Sequence, residues 1–276
     1  MRDYISFSTY RLFSSCAFKY HLLKDLNYAE GSNEFLIFGT AIHATIEDIV
    51  NKKHSHILYE GLLKKHLAAG GGEVFANSYF GKKMLPEGVA ILKELDILNR
   101  YKGWEIVGSE IEMYEPLFEE TNQIIYFKGI IDLVLKQGDK YIIIDFKTAM
   151  KPWDIEKKKE DKGFFGQLAL YKHFFAVKNG IDPKNISTRF VALARVPINI
   201  QQYEINISQE FSDDILADIK RVAKEIGTST VGIAPKAKHS GRADASYTCN
   251  YCPFKAMCTN QVNQVVLPKE ETIKND

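Results

Sequence analysis

Apolar residues recur at three- and four-residue intervals over the first hundred positions, which is the spacing of amphipathic helices. The pattern covers residues 35–53, 57–69 and 85–101. Glycines at 70–72 predict the end of the second helix. Nearer the start, apolar residues on both sides of Cys16 keep helical spacing, and Ser8 or Thr9 is the predicted N-cap. The chain before residue 104 is therefore predicted to be largely helical.

Beyond residue 103 the period changes to that of β-strands, with apolar runs bounded by turn residues. Strands are predicted over residues 104–114, 123–136 and 141–148. A tight turn at 137–139 joins the last two strands, so the three should form an antiparallel meander. Helical spacing returns over 161–178 and 209–226, with strand-like runs within 186–206. This order indicates an α/β (α+β) fold in which a mixed central sheet is flanked by helices.

Composition narrows the class of protein. Of 276 residues, 45% are apolar and 26% charged, which is typical of a globular protein with a sizeable core. The 36 basic and 35 acidic residues exclude a histone-like or an acidic disordered protein, but not a local basic groove. Lysine runs at 52–53, 64–65, 82–83 and 157–159 could line a strand-binding channel, although such runs are more often solvated faces. No signal segment or membrane span is evident, so we expect a cytoplasmic protein without membrane contact.

The most distinctive local pattern is YIIIDFKT, at residues 141–148. The run of four apolar residues at 141–144 predicts a buried strand. The strand ends in an acid and a base that are two positions apart. Because strand residues i and i+2 share a face, Asp145 and Lys147 should lie side by side, with Phe146 facing the other way. A carboxylate can hold a divalent cation, and an ammonium group can offset charge on a phosphoryl oxygen or position water. The pair therefore suits phosphate chemistry.

A second acid, Asp132, interrupts the preceding apolar strand, where burying a lone charge is costly. The turn at 137–139 brings Asp132 and Asp145 near each other across the strand pair, close enough to share a metal ion. Two carboxylates, a backbone carbonyl and waters form an oxygen-rich site that favours Mg²⁺ or Mn²⁺. An Asp-x-Lys motif alone is common, so the prediction depends on the two acids together.

Two helical pairs are candidates to complete this site. His43 and Glu47 share a helix face at i and i+4, which would make His43 a metal ligand and Glu47 its orienting partner. Gln167 and Tyr171 have the same spacing and can donate hydrogen bonds to phosphate or sugar. Both pairs also fit ordinary amphipathic helices. Glu110, on the first predicted strand, is a weaker candidate, since a solvent-facing position explains it equally well.

The four cysteines have the spacing of a metal site. Cys249, Cys252 and Cys258 lie close together, and Cys16 is the only further thiol. Such a set fits a [4Fe-4S] cluster or a four-thiolate Zn²⁺ site, between which spacing alone does not decide. A redox CxxC motif is disfavoured, because no βαβ context surrounds it.

Taken in order, these motifs resemble those of the PD-(D/E)XK nucleases of the RecB-like branch. The shared residues run as Gly39-x-x-x-His43-x-x-x-Glu47, Gly129-x-x-Asp132, Asp145-x-Lys147 and Gln167-x-x-x-Tyr171. The lone Cys16 and the terminal cysteine group resemble the iron–sulfur subgroup. That subgroup includes the CRISPR-associated RecB-like exonucleases and the nuclease domain of AddB. The resemblance extends over most of the chain, from about residue 6 to 258.

The resemblance implies a restriction-endonuclease-like core and a metal-dependent DNA exonuclease. In that family the metal would be held by His43, Asp132, Asp145 and the Phe146 carbonyl. Lys147 would be the catalytic lysine, and Gln167 and Tyr171 would contact DNA. The family further implies a structural [4Fe-4S] clasp joining the two ends of the chain, held by Cys16, Cys249, Cys252 and Cys258.

Partners and domains complete the expectations. The resemblance implies DNA as the substrate, with a separate helicase or a recombination or CRISPR protein as a further partner. The rival hypothesis is a non-catalytic DNA-binding or assembly subunit with the same fold. Predicted divisions are an N-terminal arm, a helical region with the His motif, the nuclease core, a cluster-binding segment and a flexible tail. They cover residues 1–30, 31–103, 104–228, 229–262 and 263–276 respectively.

Overall fold

A computed structural model describes residues 3–28, 33–120, 123–155, 162–228 and 252–254. The chain divides into two compact units. The smaller comprises residues 1–31, 118–125 and 218–276, and the larger comprises residues 32–117 and 126–217. The five predicted divisions stay a prediction.

The smaller unit begins with strand β1 (Tyr4–Ser6) and helices α1 (Phe7–Ser15) and α2 (Ala17–Lys24). The prediction of Ser8 or Thr9 as N-cap is wrong: extended Ser6 caps α1, and its hydroxyl accepts a hydrogen bond from the Thr9 N–H. The helical spacing across Cys16 is also interrupted. Cys16 has extended backbone, ends α1 and caps α2, with its Sγ accepting from the Lys19 N–H.

The helical part of the larger unit contains α3 (Glu34–Lys52), α4 (Tyr59–Ala76), α5 (Tyr79–Leu95) and α6 (Ile97–Arg100). The predicted end of the second helix at 70–72 is confirmed: Gly72, with a φ of 75°, is not helical, and a separate short helical segment follows it to Ala76. The predicted third helix starts earlier, at the Ser78 cap, and is divided by left-handed Asp96. A single glycine with a positive φ thus interrupts α4 where the run of glycines predicts an end.

The sheet of the larger unit is mixed. Its strands include β2 (Glu105–Glu120), β3 (Gln123–Gln137), β4 (Lys140–Ala149), β5 (Ile186–Arg195) and β6 (Ile198–Ile205), adjacent in that order. Strands β3 and β4 are antiparallel, β4 and β5 parallel, and β5 and β6 antiparallel. Helix α7 (Lys162–Asn179) makes the crossover that the parallel pair requires. The predicted fold class, a mixed sheet flanked by helices, is confirmed.

Two apolar layers enclose this sheet. Helices α3 to α6 pack on one face in a core that includes Phe38, Ile42, Ile144 and Phe146. Helix α7 packs on the other, where the rings of Phe127 and Phe174 stack with centroids 4.6 Å apart. The final helix, α8, spans Gln209–Thr228. None of the helices in the part of the chain that the structure describes is long and apolar enough to cross a membrane.

Candidate active site

A cleft of about 450 Å³ opens in the larger unit, between α3 and strands β2, β3 and β4. Its polar lining comprises Thr40, His43, Glu47, Glu110, Asp132, Lys147 and Thr148. Helix α3 approaches the end of β4 closely, since a Cβ added at Gly39 would lie 3.0 Å from Thr148 Oγ1. A glycine on the helix therefore allows His43, one turn later, to reach the strand ends.

Asp132 stands where the β3–β4 ladder opens. The paired register runs from Gln137 opposite Lys140 to Leu133 opposite Ile144. At the next position the Asp132 side chain takes the place of a backbone acceptor, and its Oδ2 accepts from the Phe146 N–H at 2.7 Å. The hairpin thus brings Asp132 next to the segment of Asp145, as the turn predicts, and the sharing of a metal ion by the two acids stays a prediction.

His43 faces the same carboxylate. Its Nδ1 lies 3.5 Å from Asp132 Oδ2, so Asp132, rather than the predicted Glu47, is the acid beside the ring. Burial is the largest influence and lowers the pKa of His43. The charge and hydrogen bond of Asp132, together with the charge of Asp145, outweigh it and leave the pKa above its ordinary value. The acids of this cleft therefore favour a cation.

Asp145 is almost fully buried, with 1% of its side chain exposed. Its Oδ2 lies 2.8 Å from Lys147 Nζ, as predicted from the shared strand face. This ion pair engages Oδ2, whereas Oδ1 has no hydrogen-bond partner among the residues that the structure describes. Burial raises the pKa of Asp145, and the Lys147 charge opposes that shift. An unpaired buried carboxylate oxygen is a position that a cation would satisfy.

Lys147 continues into a polar chain that ends on α7. Its Nζ donates to Gln167 Oε1 at 3.0 Å, and Gln167 Nε2 donates to Tyr171 Oη at 2.8 Å. Burial raises the pKa of Tyr171, which keeps the phenol neutral. Gly129 makes room for it, since a Cβ there would lie 2.7 Å from Tyr171 Cε1. The predicted glutamine–tyrosine pair therefore fixes the position of the lysine ammonium group.

Glu110 is the residue that sequence reasoning ranked too low. One ligand atom from each of His43, Glu110 and Asp132 lies within 4.8 Å of the others, a grouping suited to a metal ion. Burial, followed by the charge of Asp132, raises the pKa of Glu110 to about 7. Its φ of 49° is left-handed, an uncommon conformation for a residue with a side chain. The backbone of β2 is therefore irregular at the residue that lines the cleft.

A divalent cation fits this donor set. Two carboxylates and an imidazole converge, one oxygen of the buried Asp145 has no hydrogen-bond partner among the described residues, and burial together with the charge of Asp132 raises the pKa of Glu110. Asp145 lies outside the group of three, so its role as a ligand and that of the Phe146 carbonyl stay predictions. Phe146 does line the cleft, but its side chain packs in the core beside α3.

The cysteine site is described only in part. Within the smaller unit, Cys16 and Cys252 pack against the same apolar cluster, formed by Phe18, Leu22 and Phe254. Neither is in a disulfide. Cys249 and Cys258, which are predicted to join them, lie outside the described residues.

The fold and donor set define a class: an α/β protein with a candidate divalent-cation site where two strands of its sheet diverge. The sequence profile of the PD-(D/E)XK nuclease superfamily matches residues 4–259. The chain therefore belongs to the PD-(D/E)XK nuclease superfamily.

Two individual proteins show how far the similarity extends. The chain is 27% identical over 134 residues to an ATP-dependent helicase/nuclease subunit of Pelotomaculum thermopropionicum. The match covers 48% of this chain but only 9% of that protein. A crystal structure titled "Putative exonuclease", from Eubacterium rectale, superposes with a TM-score of 0.56 at 12% identity. The superposition covers 98% of this chain and 91% of the Eubacterium rectale chain, and it supports the fold.

Proposed function

We propose that this protein is a metal-dependent DNA nuclease, and specifically an exonuclease that hydrolyses phosphodiester bonds at DNA ends. The observation that carries the proposal is the convergence of His43, Glu110 and Asp132 in one cleft beside the Asp145–Lys147 pair. Membership of a nuclease superfamily supplies the reaction class. The presence of both acids and the lysine favours an enzyme over a non-catalytic DNA-binding subunit.

In this proposal His43, Glu110, Asp132 and Asp145 hold Mg²⁺ or Mn²⁺, with the Phe146 carbonyl as a further donor. When bound, the cation supplies positive charge at the scissile phosphate and acidifies a water molecule. His43 must be neutral to act as a ligand, and the carboxylates must be ionised. Asp132 also accepts from the Phe146 N–H, a contact that orients its carboxylate toward the cleft.

Lys147 offsets negative charge that develops on the phosphate. An ammonium group held between Asp145 and Gln167 is preorganised, so it needs little rearrangement when the substrate reacts. Gln167 and Tyr171 act in two ways: they position the lysine, and their remaining polar atoms contact the DNA backbone.

The rim of the cleft supports action on unpaired DNA. Phe35, Leu36 and Ile130 line it and are 46%, 70% and 44% exposed. Apolar and aromatic side chains at such a position can stack on splayed bases without reading sequence. The similarity to the exonuclease structure is in fold alone, so specificity for ends is part of the proposal.

A [4Fe-4S] cluster held by Cys16, Cys249, Cys252 and Cys258 forms a structural clasp in this proposal, with Zn²⁺ as the alternative. Its support is that Cys16 and Cys252, 236 positions apart in the chain, pack on one apolar cluster. Anaerobic purification followed by iron, sulfide and zinc analysis tests it. About four irons per chain, lost in Cys252→Ser, would support the cluster, whereas a colourless preparation with one zinc would refute it.

Partners follow from the helicase/nuclease relative. We infer that a DNA-translocating helicase, on another chain or beyond this sequence, feeds strands to the cleft. The relative's name is the support for this step, since the matched segment is only a small part of that protein. A recombination or CRISPR protein is a further candidate partner.

End-labelled and circular DNA distinguish the possible activities. Wild type, Lys147→Ala and the matched control Lys93→Ala are incubated with each substrate in Mn²⁺ and in chelator. Lys93 is exposed on α5 and outside the cleft. We expect metal-dependent loss of linear DNA by wild type and Lys93→Ala only. Degradation that persists in Lys147→Ala, or none by metal-loaded wild type, would refute the enzyme; cutting of circles would refute end specificity.

A further inference from the structure

A second cavity, of about 640 Å³, lies next to the candidate active site in the same unit. The two cavities are lined by successive residues of the same three elements. On α3, Glu47 lines the first cavity and Asn51 the second. On β2, Glu110 lines the first and Gly108 the second. On β3 the change occurs between Asp132 and Leu133.

The spacing between the lining residues of the two cavities can be worked out along α3 and along β2. Four helical residues from Glu47 to Asn51 rise about 6 Å, and two strand residues from Glu110 to Gly108 rise about 6.6 Å. Both values are close to the length of one extended nucleotide. A DNA strand with a phosphate in the first cavity therefore reaches the second with its next residue.

The lining of the second cavity suits a base and a phosphate. Leu133 belongs to the buried core and gives the cavity an apolar floor, and Trp104, partly buried, packs against the same core. Lys53 and Lys102 line it and are exposed, against one exposed carboxylate, Glu105. An indole face beside two ammonium groups is the combination that binds unpaired nucleotides.

The boundary between the cavities is also polar. Ser109 Oγ donates to Asn51 Oδ1 at 2.9 Å, which ties α3 to β2 between the two spaces. That bond uses the amide oxygen, so it does not engage the two N–H donors of the Asn51 side chain. An amide at this point can contact a backbone phosphate.

We propose that the second cavity binds one unpaired nucleotide of the DNA strand whose adjacent phosphate occupies the candidate active site. The base stacks on Trp104, and Lys53 and Lys102 neutralise its phosphate. This rests on the proposed nuclease function. The cavity would then hold a strand end at a fixed distance from the cleaved bond, without reading its sequence.

The test uses single-stranded oligonucleotides that carry one abasic residue at successive positions from a fluorescent end. Dissociation constants are measured in chelator for wild type, Trp104→Ala, Trp104→Phe and a control, Tyr79→Ala. Tyr79 is exposed on α5 and lines neither cavity. We expect one position where the abasic residue weakens wild-type binding about tenfold. On intact DNA, Trp104→Ala should bind about tenfold more weakly than wild type, whereas on DNA with the abasic residue at that position the two should bind almost equally. Trp104→Phe should bind like wild type.

Equal losses on intact and abasic DNA, or no sensitive position, would overturn the proposal. Because the abasic residue changes only the DNA, this arm does not depend on how the Trp104 variants fold. The two proposals also fail separately. Wild type that shows the sensitive position but cuts nothing in Mn²⁺ would refute the nuclease, whereas wild type that cuts without a sensitive position would refute the nucleotide site alone.

Discussion

The protonation of Glu110 should govern how tightly the cleft binds a metal ion. At a pKa of about 7, this carboxylate is about half protonated at pH 7, and the proton must leave before the oxygen can coordinate. About one-eleventh of the carboxylate is ionised at pH 6 and about ten-elevenths at pH 8, so this group alone raises Mn²⁺ affinity about tenfold between them. His43 acts in the same direction, because its pKa is also raised and only the neutral ring binds metal.

The variant Glu110→Gln keeps the size of the side chain and removes its titration. Calorimetric titration of Mn²⁺ into DNA-free protein at pH 6, 7 and 8 measures the effect. We expect weaker binding at every pH and a shallower rise with pH, since the Glu110 contribution is lost and those of His43 and Asp145 remain. The control Glu112→Gln changes a neighbouring acid on the same strand, paired with Lys128 and 64% exposed. Its pH dependence should match wild type; an equally steep rise in Glu110→Gln would refute the role of Glu110.

Three further predictions concern other parts of the larger unit. Lys147→Gln should lower the single-turnover cleavage rate about 100-fold or more while DNA affinity changes little, because the ammonium group acts on developing charge; comparable losses in both would contradict this. Gly129→Ala should destabilise the fold by about 1–3 kcal/mol in denaturant unfolding, because its Cβ would collide with Tyr171; unchanged stability would show that the ring can move. Hydrogen bonds from Lys52, then His66, lower the pKa of Asp48 to about 2, so Asp48→Asn should cost about 1 kcal/mol at neutral pH. Since a lowered pKa stabilises only the ionised form, that difference should fade as the pH drops from about 4 toward 2, and a pH-independent difference would contradict it.

Much of the core was predictable because it depends on local chemistry. The turn around Gly138, with its φ of 59°, sets the hairpin register, and that register fixes which residues meet. Asp145 and Lys147 pair because strand residues two apart share a face. The chain order of elements likewise follows from the change of apolar period.

The finer details depend on irregular backbone, which leaves no mark in a hydrophobic pattern. Phe127 and Leu133 are six positions apart and would share one face of a regular strand. Phe127 contacts α7, however, whereas Leu133 packs with α3 on the opposite face. The alternation of faces therefore breaks within β3, near Asp132. Glu110 likewise has a left-handed backbone within β2. Sequence periodicity assumes regular strands, so it described Glu110 as an ordinary surface acid. The starts of α1 at Ser6 and of α5 at Ser78 were not predicted, because they depend on the extended backbone and side-chain hydrogen bond of the capping serine.

The amide of Phe146 offers a built-in reporter for the cleft. In a regular ladder such a proton would exchange only when strands separate, but here its acceptor is the Asp132 carboxylate. Amide exchange and the proton chemical shift at this one position should therefore respond to events at that carboxylate, including its protonation. A spectroscopist could follow the chemistry of the site from a main-chain signal, without attaching a probe.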